Sequence, residues 1–167
     1  MIEAIKKRRS VREYLAEAIP EEKINQILMA AMCAPSANAL YPWDLVVVSN
    51  PETKEILAKA TPWSSHAQSA AVVIVVVGHP QESSEWLEDC SITAEHLWLE
   101  ATEQGLSSCW IQIRGNDTAE KEIKELLNIP EECRVLCLMP LGKPAVTSPE
   151  HGDDKFDKSK VKYEKYK

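Results

Sequence analysis

The run Arg8-Arg9-Ser10-Val11-Arg12 places three guanidinium groups and one hydroxyl within five residues. Guanidinium forks and a serine hydroxyl are the donors a phosphate monoester takes, so the run is a candidate anion clamp. It closes a start of twelve residues carrying Lys6, Lys7, Arg8, Arg9 and Arg12 against Glu3, a local balance of +4. Residues 155–167 carry six lysines against Asp157 and Glu164, again +4. The whole chain stands at −7, so residues 13–154 hold −15. Two basic ends around an acidic body suggest one anionic ligand gripped by both termini. Two solvated tails are the plainer alternative.

Other reactive residue types form no constellation by spacing. The five cysteines (Cys33, Cys90, Cys109, Cys133, Cys137) are odd in number and lack framework spacing, which reads as reduced thiols. No Cys-x-x-Cys or paired histidine completes a tetrahedral set, so no metal site is expected. His66, His79, His96 and His151 are scattered, and none pairs with a Cys, Ser or acid at a catalytic spacing. Cys109 beside Trp110 reads as a small buried side chain and not a nucleophile. With five glycines there is no G-x-G-x-x-G, and no G-x-x-x-x-G-K, H-E-x-x-H or G-x-S-x-G occurs. No catalytic residue is therefore assigned, and any reactivity is expected to come from a cofactor.

The elements that must position these residues follow from periodicity. Ile2 to Lys7 reads as a short helix leading into the arginines. Pro20-Glu21-Glu22 opens a second helix, with Ile24, Ile27, Leu28 and Ala31 as its core stripe and an end forced near Ala34 by Pro35. Asp44 to Ser49 reads as a strand, and Pro51 to Ala60 as a helix capped by Asn50. Ala70 to Val77 is apolar without alternation, so it is expected to be a strand buried on both faces, with helices on both sides of the sheet. Ser108 to Ile113 and Arg134 to Met139 are further strands, and Asp117 is expected to cap a helix reaching Leu127. The helix from Trp86 to Gln104 carries one apolar stripe through Cys90, Ala94, Leu97, Trp98 and Ala101, with Ile92 and Leu99 nearly opposite. One stripe suffices for a surface helix, so the second predicts a cover from outside, most simply a two-fold homodimer.

Length 167 fits one domain over residues 1–167. No apolar stretch follows the first charges, so no secretory signal is expected and a cytoplasmic location is. The longest apolar run, Ala70 to Val77, is too short to cross a bilayer, so no membrane partner is expected. The acidic body argues against nucleic acid.

Four segments besides RRSVR stand out: APSANALYPW (34–43), GLSSCWI (105–111), LGKP (141–144) and the close from Asp154. With RRSVR, these resemble, in order and nearly end to end, the nitroreductase family of FMN-dependent oxidoreductases. The resemblance implies an α+β fold, an α/β/α sandwich with a central mixed, largely antiparallel sheet, in an intertwined homodimer with FMN sites shared at the interface. It assigns Arg8, Arg9, Ser10 and Arg12 to the FMN phosphate and ribityl chain. Pro35, Ser36, Ala37 and Asn38 would lie against the ring from the partner subunit. Ser108, Cys109 and Trp110 would face the ring through backbone, and Gly142, Lys143 and Lys155 would return to the phosphate. NAD(P)H would reduce the FMN, and a small acceptor such as a nitroaromatic or quinone would follow in a ping-pong cycle beside Tyr41, Trp63 and His66. A non-catalytic flavin-storage or sensing protein of the same fold is the alternative. The chain departs from the family pattern at Ala39, where the family's Asn falls one place after Asn38, at Tyr41 in place of Gln, and at Lys155 in place of Arg. It also lacks room for the helical insertion of larger members.

Overall fold

The computed structural model describes residues 1–166. Five strands form one sheet: β1 (Trp43–Val48), β2 (Val72–Gly78), β3 (Ser107–Ser108), β4 (Ile111–Gln112) and β5 (Arg134–Gly142). The order is β1-β2-β5-β3, with β4 also on β5, and every paired ladder is antiparallel. An isolated parallel bridge joins Ser10 to Ser108. Around the sheet lie α1 (Glu3–Lys7), α2 (Glu21–Met32), α3 (Pro51–Leu57), α4 (Trp86–Glu103) and α5 (Asp117–Leu127). This is the expected helix-covered, largely antiparallel sheet.

β2 shows why its sequence lacks alternation. Val72, Ile74 and Val76 pack toward the α2 and α4 side. Val73, Val75 and Val77 pack with Leu57 of α3 and Ile123 of α5 on the other. All seven residues of the strand are buried, so neither face takes a polar residue.

The expected strand from Ser108 to Ile113 is instead two short pieces separated by Cys109 and Trp110. Opposite the gap, β5 carries Pro140. The carbonyl of Pro140 accepts from the Tyr14 hydroxyl at 3.4 Å, on the side where β3 lies. A residue's N–H and C=O share a side in a strand, so the N–H that proline lacks is the one the gap would have needed. For the same reason β5 runs through Pro140 to Gly142 and does not stop at Met139. The α5 cap also differs: Asn116, not Asp117, accepts from the Ala119 N–H at 3.2 Å. Asn50 caps α3 as expected, accepting from the Thr53 N–H at 3.0 Å.

The last residue of β5 has no side chain, and that space is taken. A Cβ on Gly142 would lie 2.7 Å from Tyr14 Cδ1 and 2.9 Å from Tyr14 Cβ. Tyr14 is buried, and its hydroxyl also donates to the Val11 carbonyl at 2.7 Å. Gly142→Ala is expected to push the ring off the sheet and cost about 1–3 kcal/mol, the usual range for overpacking. Urea unfolding measures it, and the basic segment should show faster amide exchange at Val11 and Leu15.

Candidate functional site

Residues 8–15 form an extended edge on the sheet. The Val11 N–H donates to the Ser108 carbonyl at 3.0 Å, and the Leu15 N–H to the Lys143 carbonyl at 2.9 Å. The Ala145 N–H returns a bond to the Glu13 carbonyl at 2.9 Å. Val11 and Tyr14 point inward and are buried, while Ser10 and Arg12 are exposed. Alternation over residues 10–12 puts Ser10 and Arg12 on one side of this edge, and it breaks at Glu13, which is exposed just before buried Tyr14. The structure thus brings Arg8, Arg9, Ser10 and Arg12 beside Ser108, Cys109, Gly142 and the Lys143 backbone.

The basic side chains differ sharply in what they already hold. The Arg8 guanidinium stacks over the Trp98 ring, 4.3 Å from its centroid, and lies 3.8 Å from Glu95 Oε1. Arg9 Nη1 donates to the Pro149 carbonyl at 2.8 Å. His151 bonds the Arg8 carbonyl through Nε2 at 3.0 Å, and its backbone N–H donates to the Lys6 carbonyl at 2.8 Å. Lys143 pairs with Glu17 at 2.9 Å. Among the described residues, the Arg12 side chain makes no hydrogen bond or ion pair. Lys155 lies exposed in a short turn, and no side-chain bond ties it to the N-terminal segment among the described residues.

Two buried polar atoms of this region, on Ser108 and His66, have no hydrogen-bond partner among the described residues. Ser108 is fully buried, and its hydroxyl has no protein partner. His66 is buried with Nε2 unpartnered. Burial lowers the His66 pKa, and the Arg12 guanidinium lowers it further. Burial raises the Cys109 thiol pKa, while Arg12, the Ser10 hydroxyl and Arg8 act the other way. Arg12 is therefore close enough to both groups for its charge to be felt.

The segment APSANALYPW is a separate, tightly held loop. Asn38, Ala39 and Tyr41 all have positive φ, at 54°, 55° and 52°. Such geometry in residues other than glycine persists only where surroundings impose it, at about 1–3 kcal/mol each. The imposing group is Asp89, in the first turn of α4 and almost fully buried. Ser36 Oγ donates to Asp89 Oδ2 at 2.7 Å, and the Ala37 N–H donates to Asp89 Oδ1 at 3.2 Å. The Tyr41 N–H donates to Ser36 Oγ at 2.8 Å. Pro35 and Asn38 are exposed, and Tyr41 stands edge-on to Trp43 at 5.5 Å. Trp63 is exposed, and Trp110 donates to Gln112 at 2.8 Å.

Sequence reasoning missed Asp89, Glu95, Tyr14 and His151. For Asp89 a signal existed: it stands four and eight residues before Thr93 and Leu97, on a stripe that is buried. Spacing also hid a second constellation at the opposite end of β5. There His79 Nε2 lies 2.9 Å from Asp44 Oδ2, and Cys133 Sγ lies 3.6 Å from His79 Nδ1. Burial raises that thiol, and Glu132 and Asp44 raise it further, so the pairing does not make a nucleophile.

A helix-covered antiparallel sheet with an arginine-rich edge and a strained loop defines the class, and comparison defines the family. The sequence matches the Nitroreductase family over residues 5–70 and 58–143. A solved FMN-dependent nitroreductase from Clostridium difficile superposes with a TM-score of 0.96 at 33% identity, covering 99% of this chain and 100% of that one. A Methanothermobacter thermautotrophicus protein named "Putative NADH dehydrogenase/NAD(P)H nitroreductase" is 35% identical over 169 residues, 99% of this chain and 87% of its own. The structure of the Vibrio harveyi NADPH:FMN oxidoreductase complexed with NAD+ superposes with a TM-score of 0.84 at 26% identity, covering 99% of this chain and 77% of that one. The chain belongs to the nitroreductase family.

The Arg12 field on His66 is directly measurable. In Arg12→Ala the His66 pKa should rise toward the ordinary histidine value, followed by NMR titration of the ring. Its folded value lies below the unfolded one, so the chain loses stability as pH falls from about 6.5 through the folded value. That acid loss should be smaller in Arg12→Ala.

Proposed function

We propose that this chain is an NAD(P)H-dependent oxidoreductase using FMN, with two copies forming each functional unit. The observation that carries the reading is the Arg12 guanidinium and the Ser10 hydroxyl, both exposed and on one side of the sheet edge. On Ser108, which bridges to Ser10, a fully buried hydroxyl has no protein partner among the described residues. A phosphate monoester fits that donor set: a fork for two oxygens and hydroxyls for the third. Arg8 and Arg9 support it by keeping the segment seated, through Trp98, Glu95 and Pro149, and by adding positive field.

Held there, FMN would supply two-electron transfer between NAD(P)H and a small acceptor such as a nitroaromatic or quinone, in a ping-pong cycle. The protein's residues provide binding, placement and exclusion of water. No side chain has to act as general acid or base. Cys109 and Trp110 present backbone at the break in the sheet, and Ser108 borders it at the end of β3. Tyr41, Trp63 and His66 are the candidates for contact with nicotinamide or acceptor; His66 would act there as a neutral ring at pH 7.

The dimer rests on the outer stripe of α4. Ile92 is exposed there, and Leu99 borders a cavity of about 620 Å³ lined by Ile2, Ala4, Ala30 and Cys33 together with Glu100 and Glu103. Exposed Met29 and Met32 of α2 and Ile5 of α1 extend the same apolar face. A surface this apolar on three neighbouring helices calls for a partner, and a second copy meets it with the same residues. No helix of the described residues is long and apolar enough to cross a membrane.

Purified chain given FMN should turn yellow, and anaerobic NADH or NADPH should bleach it. Yellow chain that neither nicotinamide bleaches would favour a storage role; colourless chain would overturn the flavin reading. Arg12→Ala should weaken FMN binding about tenfold or more, the loss expected of a charge-assisted contact. Fluorescence quenching measures this, and light scattering should still report twice the chain mass.

A further inference from the structure

We infer that Asp89 is a positioning residue: it presents Asn38 as the loop's donor to the flavin ring. This rests on the FMN reading above. The family resemblance gives the serine of the loop to the cofactor, but here Ser36 is already committed. Its hydroxyl donates to Asp89 at 2.7 Å and accepts from the Tyr41 N–H at 2.8 Å. Ala37 spends its N–H on the same carboxylate, at 3.2 and 3.3 Å. The Ala39 N–H donates to the Ser36 carbonyl at 3.1 Å, and the Leu40 N–H to the Ala37 carbonyl at 3.2 Å. Among the described residues, Asn38 alone of 37–41 keeps both an unbonded N–H and an unbonded side-chain amide. It is exposed, at φ 54° and ψ 18°.

In that left-handed geometry Asn38 is exposed, and neither its N–H nor its side-chain amide is bonded among the described residues. Asparagine tolerates such geometry better than most residues, which suits this chain's shift of the amide from position 39 to 38. Ala39 and Tyr41 have no such tolerance, so the loop needs an anchor to hold its shape. Asp89 is that anchor, because a buried carboxylate accepting three bonds from Ser36 and Ala37 cannot release them without a desolvation cost. The donor is thus placed before any ligand arrives.

The test uses Asp89→Ala, Asp89→Asn and Ser36→Ala in the full chain. Amide exchange without FMN should quicken at residues 36–41 by about tenfold or more in Asp89→Ala, while β2 and β5 keep wild-type protection. With FMN, the rate of anaerobic reduction by NAD(P)H should fall about tenfold, and the ratio of dissociation constants for oxidised and reduced FMN should shift at least threefold. Binding of oxidised FMN itself, held at the phosphate, should change less than threefold. Asn38→Gly, which removes the amide and keeps the left-handed geometry without strain, should reproduce the shift in that ratio with far less change in exchange than Asp89→Ala. Ser36→Ala keeps the carboxylate and should give a smaller effect in the same direction, and it stands in should Asp89→Ala fail to fold. Asp89→Asn keeps an acceptor and should fall between.

Quickened exchange with unchanged reduction and an unchanged ratio would leave Asp89 as a structural brace only and overturn the inference. A wild-type chain that takes up no FMN would overturn the parent reading and this one with it. Unchanged exchange in Asp89→Ala would overturn this one alone.

Discussion

A tyrosine ring resting where a strand has no side chain decides the geometry of the whole basic edge. Tyr14 lies on Gly142, and backbone bonds at Val11, Leu15 and Ala145 close on either side of it. The segment is thereby held in register, and register in an extended chain fixes which side chains face out. Val11 and Tyr14 go in; Ser10 and Arg12 go out. Slipping by one residue would bury the arginine and expose the valine. The anion-facing pair is therefore a consequence of packing at Gly142, the last residue of β5, and not of the charges themselves.

The same edge explains how a cluster of like charges becomes differentiated. Three guanidinium groups within five residues repel one another unless each finds a distinct environment. Arg8 is taken by an aromatic face and a carboxylate, and Arg9 by a main-chain carbonyl. Arg12 is left facing outward, with its charge felt by His66 and Cys109. Two of the three arginines stabilise the scaffold, and the third is exposed and, among the described residues, unpaired.

Much of this was legible in the sequence, and the limits have physical causes. Apolar runs without alternation located β2, and proline, glycine and asparagine marked helix ends to within a few residues. The break at Cys109 and Trp110 was not legible, because it originates in Pro140, on a strand some thirty residues later in the chain. Motif resemblance located the site segments but not the state of each side chain. Ser36 and Lys143 carry the residue types a phosphate or flavin would want, yet Asp89 and Glu17 already hold them. Those partners are distant in sequence, and pairing of that kind leaves no periodic trace. Asp89 left only the faint one of an acid on a buried stripe.

α4 ties the two halves of the site into one rigid frame. Its first turn holds the strained loop through Asp89, and nine residues on, Trp98 holds Arg8. At 1.5 Å per residue those anchors are about 14 Å apart along the helix. Between them, Cys90, Ala94 and Leu97 are buried in the core, while Ile92, and Leu99 just past Trp98, belong to the outer stripe. A helix fixed on its inner face by the core cannot tilt at one anchor without moving the other. Loop and arginine segment are therefore held at a constant separation within each copy. If the outer stripe is covered by a second copy, the same helix also fixes how the two copies' loops and arginines meet. Placement of a shared ligand then depends on one element, and the second apolar stripe, which a lone surface helix would not need, is the part of the sequence that records it.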